Sequence, residues 1–321
     1  MILLTGGTGF VGRHLATQFV ADGRRVRVLS RAPAREVLPD AVSWAQGDLA
    51  DPASLRAALR NVQTVVHAAA LLHGGQMPDT AFEQVNAGGT ESLARAAREM
   101  GVRRFLHIGS AGVYGDGFTA TPHRESDVPG PGTPYERSKL SAERALATAL
   151  EGSVVQWTIL RPQGLYGYDR PETAAFFRAV ARRRFWFHGP ARVIVHPTHI
   201  DDLVAAVRLV VDREDLRGTL INVGGARPLE FRELISLIGK RVGHTPYQVS
   251  APLPVARVAA LAARAWAAAG KPPAMLARLS RVLINRAVSI EKARSLLGFE
   301  PVTLEWGLDR TAAELRRAGR L

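Results

Sequence analysis

Short apolar runs alternate with stretches of helical period through the first half of the chain, the pattern of βαβ units that build a parallel sheet. The runs predict strands at 2–4, 26–29, 42–45, 64–68, 104–109 and 155–160, with helices between them, for example over 12–22 and 87–100. A further strand at 220–223 follows a helix opening at Asp201 and returns to the same sheet. The expected fold class is α/β, a doubly wound parallel sheet with a smaller, discontinuous C-terminal substrate domain. Its dinucleotide-binding part would comprise 1–167 plus about 196–223, and its substrate-binding region about 168–195 plus 224–321. Neither an internal repeat nor a long disordered linker interrupts the pattern.

The strand at 2–4 runs straight into a glycine loop, Thr5 to Gly12 (TGGTGFVG), which opens a helix. Glycines there permit a tight turn, close approach of the backbone to a pyrophosphate and tight helix packing, while the helix N-terminus favours the anion. The loop therefore predicts a Rossmann-type dinucleotide site. At the end of the second strand, where NAD binders carry an acidic residue for the adenosine ribose, this chain has Ser30 and Arg31. An arginine suits the additional phosphate of NADP, so NADP is favoured as cofactor with NAD left open, and Arg35 is placed to assist.

Composition narrows the setting. With 321 residues and a hydrophobic fraction of 46%, the chain can bury a sizeable core. The absence of cysteine excludes disulfides, metal-thiolate sites and thiol nucleophiles, and fits a reducing compartment. The glycine loop follows the first strand so closely that no signal peptide is expected, and a cytoplasmic location is the default. The formal charge is +13, and all but four of the 42 basic residues are arginine. Such a balance admits phosphate-rich ligands, anionic membrane surfaces and nucleic acid, and selects none of them. The run Arg182 to Arg184 reads as a solvated helix face before it reads as a phosphate clamp. A small-molecule substrate is the expected partner, and nucleic acid is not.

Candidate chemistry lies in Ser110 and in Tyr135 and Lys139 of the run YERSK. A tyrosine four residues before a lysine on a helix shares a face with it, so the ammonium is expected beside the phenol, where it favours the ionised form. Tyr135 then becomes a general acid or base near neutral pH.

Together these pieces resemble the extended short-chain dehydrogenase/reductases, the NAD(P)-dependent epimerase/dehydratase family, over essentially the whole length. The matching runs are TGGTGFVG (5–12), GDL (47–49), HAAA (67–70), NAGGT (86–90), SAGVYG (110–115), YERSK (135–139), RPQGLYG (161–167), HIDD (199–202) and NVGG (222–225). The resemblance implies that Asp48 and Leu49 line the adenine pocket and that Ala68, Ala69 and Ala70 run along the cofactor. Gly6, Gly9, Phe10, Val11, Gly12, Arg31, Tyr135, Lys139 and Pro162 are implied as further cofactor contacts. In the implied reaction a hydride passes between a substrate carbinol carbon and the nicotinamide. Tyr135 exchanges the hydroxyl proton, Ser110 bonds the same oxygen, and Lys139 binds the nicotinamide ribose. The family also commonly forms homodimers through a helix bundle that includes the YxxxK helix.

Departures from the family pattern narrow the reaction. Sugar-nucleotide 4,6-dehydratases carry an Asp-Glu pair after the hydroxyl residue, and related decarboxylases a glutamate two residues after it. Here Ala111 and Gly112 follow Ser110, so neither reaction is expected. A dehydrogenase/reductase or a redox-neutral epimerase is left, with a nucleoside-diphosphate-sugar epimerase and a non-catalytic NADP-binding sensor or assembly protein as alternatives. Gly164 stands where many nucleotide-sugar members have asparagine, which shifts weight toward the 3β-hydroxysteroid dehydrogenase and dihydroflavonol reductase branch and toward hydrophobic substrates.

The remaining features read as structural. The apolar run 252–269, with Arg257 and Arg264 on one helical face, and the basic stretch 275–286 read as amphipathic helices of the substrate domain before they read as peripheral membrane contacts. His196 and His199 lack a third convergent ligand, so no metal is expected, and the aspartates after them should cap or brace the next helix. His67 reads as a strand-end packing residue. Asn86 reads either as a helix-start cap or as a positioning residue for the site.

Overall fold

In the computed structural model, residues 1–32, 38–72, 77–115, 121–182, 185–187, 193–249 and 285–321 are described, with a few positions between 254 and 273. Seven strands form one sheet: β1 (Ile2–Thr5), β2 (Val26–Ser30), β3 (Ser43–Gln46), β4 (Thr64–His67), β5 (Arg104–Ile108), β6 (Gln156–Pro162) and β11 (Thr219–Val223). Short strands β7 (Leu165–Tyr166), β8 (Phe185–Phe187), β9 (Ile194–Val195) and β10 (Thr198–His199) lie between the last two. The sheet order is β3-β2-β1-β4-β5-β6-β11, and every pairing in it is parallel. The order reverses between β1 and β4. A crevice at the carboxyl ends of the strands opens at such a reversal, where ligands of open α/β sheets bind.

Alternation explains why the strands read as unbroken apolar runs. Leu3, Val65, Phe105 and Ile159 enter one core cluster, whereas Leu4, Val66, Leu106 and Leu160, each one residue later, enter another. A parallel sheet covered on both sides needs both sets to be apolar. One face carries α1 (Phe10–Ala21) and α7 (Ile200–Val210); the other carries α2 (Pro52–Ala58), α4 (Gly89–Glu99) and the end of α5 (Pro134–Ala149). The predicted helix over 87–100 is preceded by α3 (Asp79–Phe82) and a π-helical turn, Glu83–Gly88.

A third apolar cluster lies apart from the sheet. It joins Phe177 of α6 (Pro171–Arg182), Ile235 and Ile238 of α8 (Phe231–Val242) and Leu308 and Leu315 of α10 (Leu304–Arg317). Between α8 and α10 the chain returns to the sheet. Val288, Ile290, Ala293, Leu297 and Phe299, around α9 (Glu291–Leu297), belong to the core cluster of α1 and α7. A boundary drawn at 224 therefore does not separate everything after it from the sheet. His123 and Val288 form a parallel bridge that fixes the return, and two short strands, β12 (Leu229–Glu230) and β13 (Tyr247–Val249), pair with β9 and β8. The amphipathic stretches expected at 252–269 and 275–286 lie almost wholly outside the described residues.

Phe299 is fully buried at 0% exposure, so Phe299→Ala should lower the stability of the whole cooperative unit. A loss of roughly 3–5 kcal/mol is expected in urea unfolding at neutral pH. An unchanged midpoint would mean that the C-terminal return adds nothing to the sheet core.

Candidate active site

The glycine loop is shaped by contacts that leave no room for side chains. Gly6 has a φ of 68°, and a Cβ there would lie 2.6 Å from the Ala69 nitrogen. A Cβ on Gly12 would lie 2.1 Å from the Gly6 carbonyl oxygen, so helix and loop touch backbone to backbone. The N-cap residue of α1 is Gly9, which provides no side-chain cap for the amides of Phe10, Val11 and Gly12. Those donors are therefore available to an anion. Ala68, Ala69 and Ala70 run half-buried beside the loop. Leu49 packs under α4, where a Cβ on Gly89 would lie 3.0 Å from its own. The Asp48 carboxylate accepts from the Ala50 amide at 2.9 Å and so shapes the turn after β3. Arg31 is exposed just past β2, and Pro162 is buried at the end of β6.

Strand register places Thr5, His67 and His107 side by side at the carboxyl edge of the sheet. Hydrogen bonding fixes the His67 tautomer. The Thr90 hydroxyl donates to the Asn86 carbonyl at 2.5 Å, so it accepts from His67 Nε2–H at 2.9 Å. His67 Nδ1 then accepts from the Thr5 hydroxyl at 2.6 Å, and Thr5 accepts from the Ala69 amide at 3.3 Å. The result is a neutral clasp between the glycine loop and α4. Burial, helped by the Lys139 charge, pushes the His67 imidazole down to about 3, and the same two causes, with His67 added, hold His107 well below its usual value.

Helix α5 starts on a capping box. The Thr133 hydroxyl accepts from the Glu136 amide, and the Glu136 carboxylate accepts from the Thr133 amide at 3.0 Å, with Pro134 as the first helical residue. This start sets the phase that places Tyr135, Lys139 and Glu143 on one face. Tyr135 shares a hydrogen bond with the Ser110 side chain, which also accepts from the Gly112 amide at 3.1 Å. Lys139 is fully buried on the same helix face; its Nζ donates to the Ile108 carbonyl at 2.7 Å and lies 3.5 Å from His107 Nε2. Burial raises the Tyr135 pKa, and the opposing effects are the Arg170 charge and the Ser110 hydrogen bond. Burial also lowers Lys139, to about 8.

Behind this face lies a buried ion pair. Glu143 accepts from Arg161 of β6 at 2.6 Å, and both side chains are at most 5% exposed. Burial works against the Arg161 charge, but Glu143 more than reverses the effect. Arg161 also donates to the Tyr114 hydroxyl at 2.9 Å, and that hydroxyl donates to Asn222 Oδ1 on β11 at 2.9 Å. A Cβ at Gly109 would lie 2.8 Å from Glu143 Oε1, so glycine is required before Ser110.

Three further contacts bear on the sequence reading. Asn86 is no helix cap: it lies in the π-helical turn, bonds the Leu71 amide and carbonyl, and donates to Ser138 Oγ at 2.9 Å. It thereby ties the segment after β4 to α5. Asp202 braces as expected, accepting from the His199 amide and, at 2.8 Å, from the distant Val302 amide. His196 and His199 serve different partners, the Gly225 carbonyl and the Asp201 amide. Residue spacing does not reveal the contacts of Glu143, Arg161 and His107, whereas Thr133 and Glu136 carry a legible capping signature. Among the described residues no helix is long and apolar enough to cross a membrane.

A doubly wound parallel sheet with a glycine loop at its reversal point defines a dinucleotide-binding α/β protein. The NAD dependent epimerase/dehydratase family matches residues 2–224. The 4-hydroxy-2-methyl-3-oxo-4-farnesyl-3,4-dihydroquinoline-1-oxide ketoreductase of Stigmatella aurantiaca is 30% identical over 331 residues, covering 98% of this chain and 96% of its own. The decarboxylating sterol-4-alpha-carboxylate 3-dehydrogenase of Candida albicans is 27% identical over 341 residues, covering 97% and 96%. The structure of MoeE5 in complex with UDP-glucose and NAD is similar with a TM-score of 0.76 at 26% identity, over 99% of both chains. The chain belongs to the NAD dependent epimerase/dehydratase family and is an NAD(P)-dependent oxidoreductase or epimerase of the extended short-chain type.

Two outcomes follow from the buried groups. Glu143→Ala strands a buried guanidinium and should cost roughly 3–5 kcal/mol in chemical unfolding, whereas the pair Glu143→Leu with Arg161→Met should recover most of it. An unfolded imidazole takes up a proton near its usual value of 6.5, while buried His67 stays neutral down to about 3. Stability should therefore fall as pH drops through that window, and unfolding curves at successive pH values should show a shallower fall in His107→Phe than in the wild type.

Proposed function

We propose that the protein is an NAD(P)-dependent dehydrogenase/reductase acting at the carbinol or carbonyl carbon of a small, hydrophobic substrate. Tyr135 exchanges the hydroxyl proton, Ser110 bonds the same oxygen, and Lys139 holds the nicotinamide ribose. The observation that carries the reading is the shared hydrogen bond of Ser110 and Tyr135 beside a glycine loop whose backbone contacts exclude side chains. That loop, with Gly6, Gly9, Phe10, Val11 and Gly12, fits a pyrophosphate, with Asp48, Leu49, Ala68, Ala69, Ala70 and Pro162 along the rest of the cofactor. When bound, the nicotinamide accepts or supplies the hydride. In oxidation the phenolate of Tyr135 takes the hydroxyl proton as the carbon gives up its hydride. In reduction the phenol returns the proton to the oxygen held by Ser110.

The identity of the residues after Ser110 argues against elimination. A Cβ on Gly112 would lie 3.1 Å from both Glu136 Cγ and Ser110 Oγ, and Ala111 is buried. Neither position carries the carboxylate that a dehydratase or decarboxylase places there. The ketoreductase and sterol dehydrogenase names of two relatives favour a hydrophobic carbinol or ketone over a nucleotide sugar. A nucleoside-diphosphate-sugar epimerase is the second reading, favoured by the UDP-glucose complex among the similar structures.

NADP is the proposed cofactor, through Arg31. About 168–195 and 224–321 make the proposed substrate region, within which α9 packs back on the sheet. A cytoplasmic homodimer built on a bundle that includes α5 completes the proposal.

Fluorescence titration with NADPH and NADH, followed by a panel of hydroxysteroids, flavonoid-like ketones and UDP-sugars, tests the reading. NADPH should bind more tightly than NADH, and Arg31→Glu should weaken NADPH alone, by roughly tenfold or more. Tyr135→Phe should lower turnover by about 10²- to 10⁴-fold with binding retained. Tighter NADH binding would remove the NADP assignment. Sugar interconversion without net cofactor change would make the protein an epimerase, and binding without turnover would make it a sensor.

A further inference from the structure

A polar layer lies beneath α5 on the sheet face that carries Leu3, Val65, Phe105 and Ile159. Thr5 on β1, His67 on β4 and His107 on β5 stand side by side in it, and Arg161 joins from β6. Three of these side chains have their partners in the fold. Thr5 and His67 bond each other, His67 reaches Thr90, and Arg161 is paired with Glu143. His107 differs. It is 1% exposed, its ring centroid lies 5.1 Å from that of His67, and its Nδ1 is buried with no hydrogen-bond partner among the described residues. An apolar side chain would fill the same place without stranding a polar atom, so packing alone does not account for an imidazole here.

The account lies at the other ring nitrogen. His107 Nε2 is 3.5 Å from the Lys139 ammonium, which also donates to the Ile108 carbonyl at 2.7 Å. An ammonium donates and cannot accept, so Nε2 presents its lone pair and the ring proton sits on Nδ1, the atom without a partner. The tautomer that serves Lys139 is thus the one that leaves His107 unsatisfied. Both acceptors come from consecutive residues of β5, and the chain continues through Gly109 into Ser110, so one strand end seats the lysine and the hydroxyl together. Lys139 is 2% exposed and has these two hydrogen-bond partners among the described residues, which leaves one of its three N–H groups for a ligand. The other titratable groups about the ammonium are committed elsewhere. Glu143 is taken by Arg161, Glu136 closes the capping box, and Tyr135 shares a bond with Ser110. His67 is neutral between Thr5 and Thr90, and Glu83 of the π-helical turn is exposed.

We propose that His107 is a positioning residue for Lys139, a neutral imidazole whose Nε2 lone pair seats the ammonium and leaves one N–H free for the cofactor. The assignment rests on the ribose-binding role given to Lys139 above, and its test separates the two. The chain has lysine only at 139, 240, 271 and 292, so NMR of protein labelled with ¹³C at lysine Cε resolves each ammonium, and Lys139→Met identifies the signal of interest. In the full-length protein without cofactor, that signal is titrated in wild type, His107→Phe, His107→Leu and His107→Gln, the last of which keeps an acceptor in its amide oxygen. Loss of the acceptor disfavours the charged form, so Lys139 should titrate at lower pH than wild type in His107→Phe and His107→Leu, and close to wild type in His107→Gln. The tighter-binding of NADPH and NADH should bind roughly tenfold more weakly to the two apolar variants, with His107→Gln restoring most of the affinity. An unmoved Lys139 titration in both apolar variants, or a His107→Gln that titrates with them, would overturn the proposal. A displaced titration with unchanged dinucleotide affinity would uphold the seat and remove the ribose contact from Lys139 instead.

Discussion

The buried pair of Glu143 and Arg161 is the constraint on which the site depends. Two charges taken out of water must satisfy each other, or the desolvation of each is uncompensated. Here the satisfaction spans four elements. Glu143 sits on α5, Arg161 on β6, Tyr114 on the turn after Ser110, and Asn222 on β11. None can shift without exposing an unpaired group, so the phase of α5 against the sheet is fixed from below. Tyr135 lies two helical turns above Glu143, and its position is a consequence of that anchoring as much as of its own contacts.

The second determinant is neutral. His67 donates in one direction and accepts in the other, from Thr90 on α4 to Thr5 beside the glycine loop. Because it stays uncharged, the chain of hydrogen bonds keeps one polarity, and the close approach of Gly6 to Ala69 is preserved. The dinucleotide crevice is thus framed by an ionic brace on one side and an uncharged clasp on the other.

Much of this frame was legible in the sequence because the sheet obeys periodicity. Strands predicted at 2–4, 26–29 and 64–68 fall within a residue or so of β1, β2 and β4, since apolar runs bounded by turn residues have few alternatives. Local spacing, by contrast, says nothing of what faces what across strands. The proximity of His67 and His107 arises from register, and the meeting of Arg161 with Glu143 from the crossing of a strand and a helix. The shared face of Tyr135 and Lys139 was readable from a four-residue spacing, but the direction in which the lysine bends was not, because the Ile108 carbonyl that holds it is distant in sequence. Spacing left two readings of Asn86 open for a similar reason: a π-helical turn leaves no signature in residue types, and its partners Leu71 and Ser138 are distant in sequence.

The return of the chain at 288–299 to the sheet has an evolutionary consequence. Everything between β11 and that return is a closed loop in the topological sense, pinned at both ends to the sheet core. Lengthening such a loop costs entropy only logarithmically, so its sequence can drift, grow or be exchanged while the cofactor machinery stays intact. The chain has, in this arrangement, a replaceable cassette.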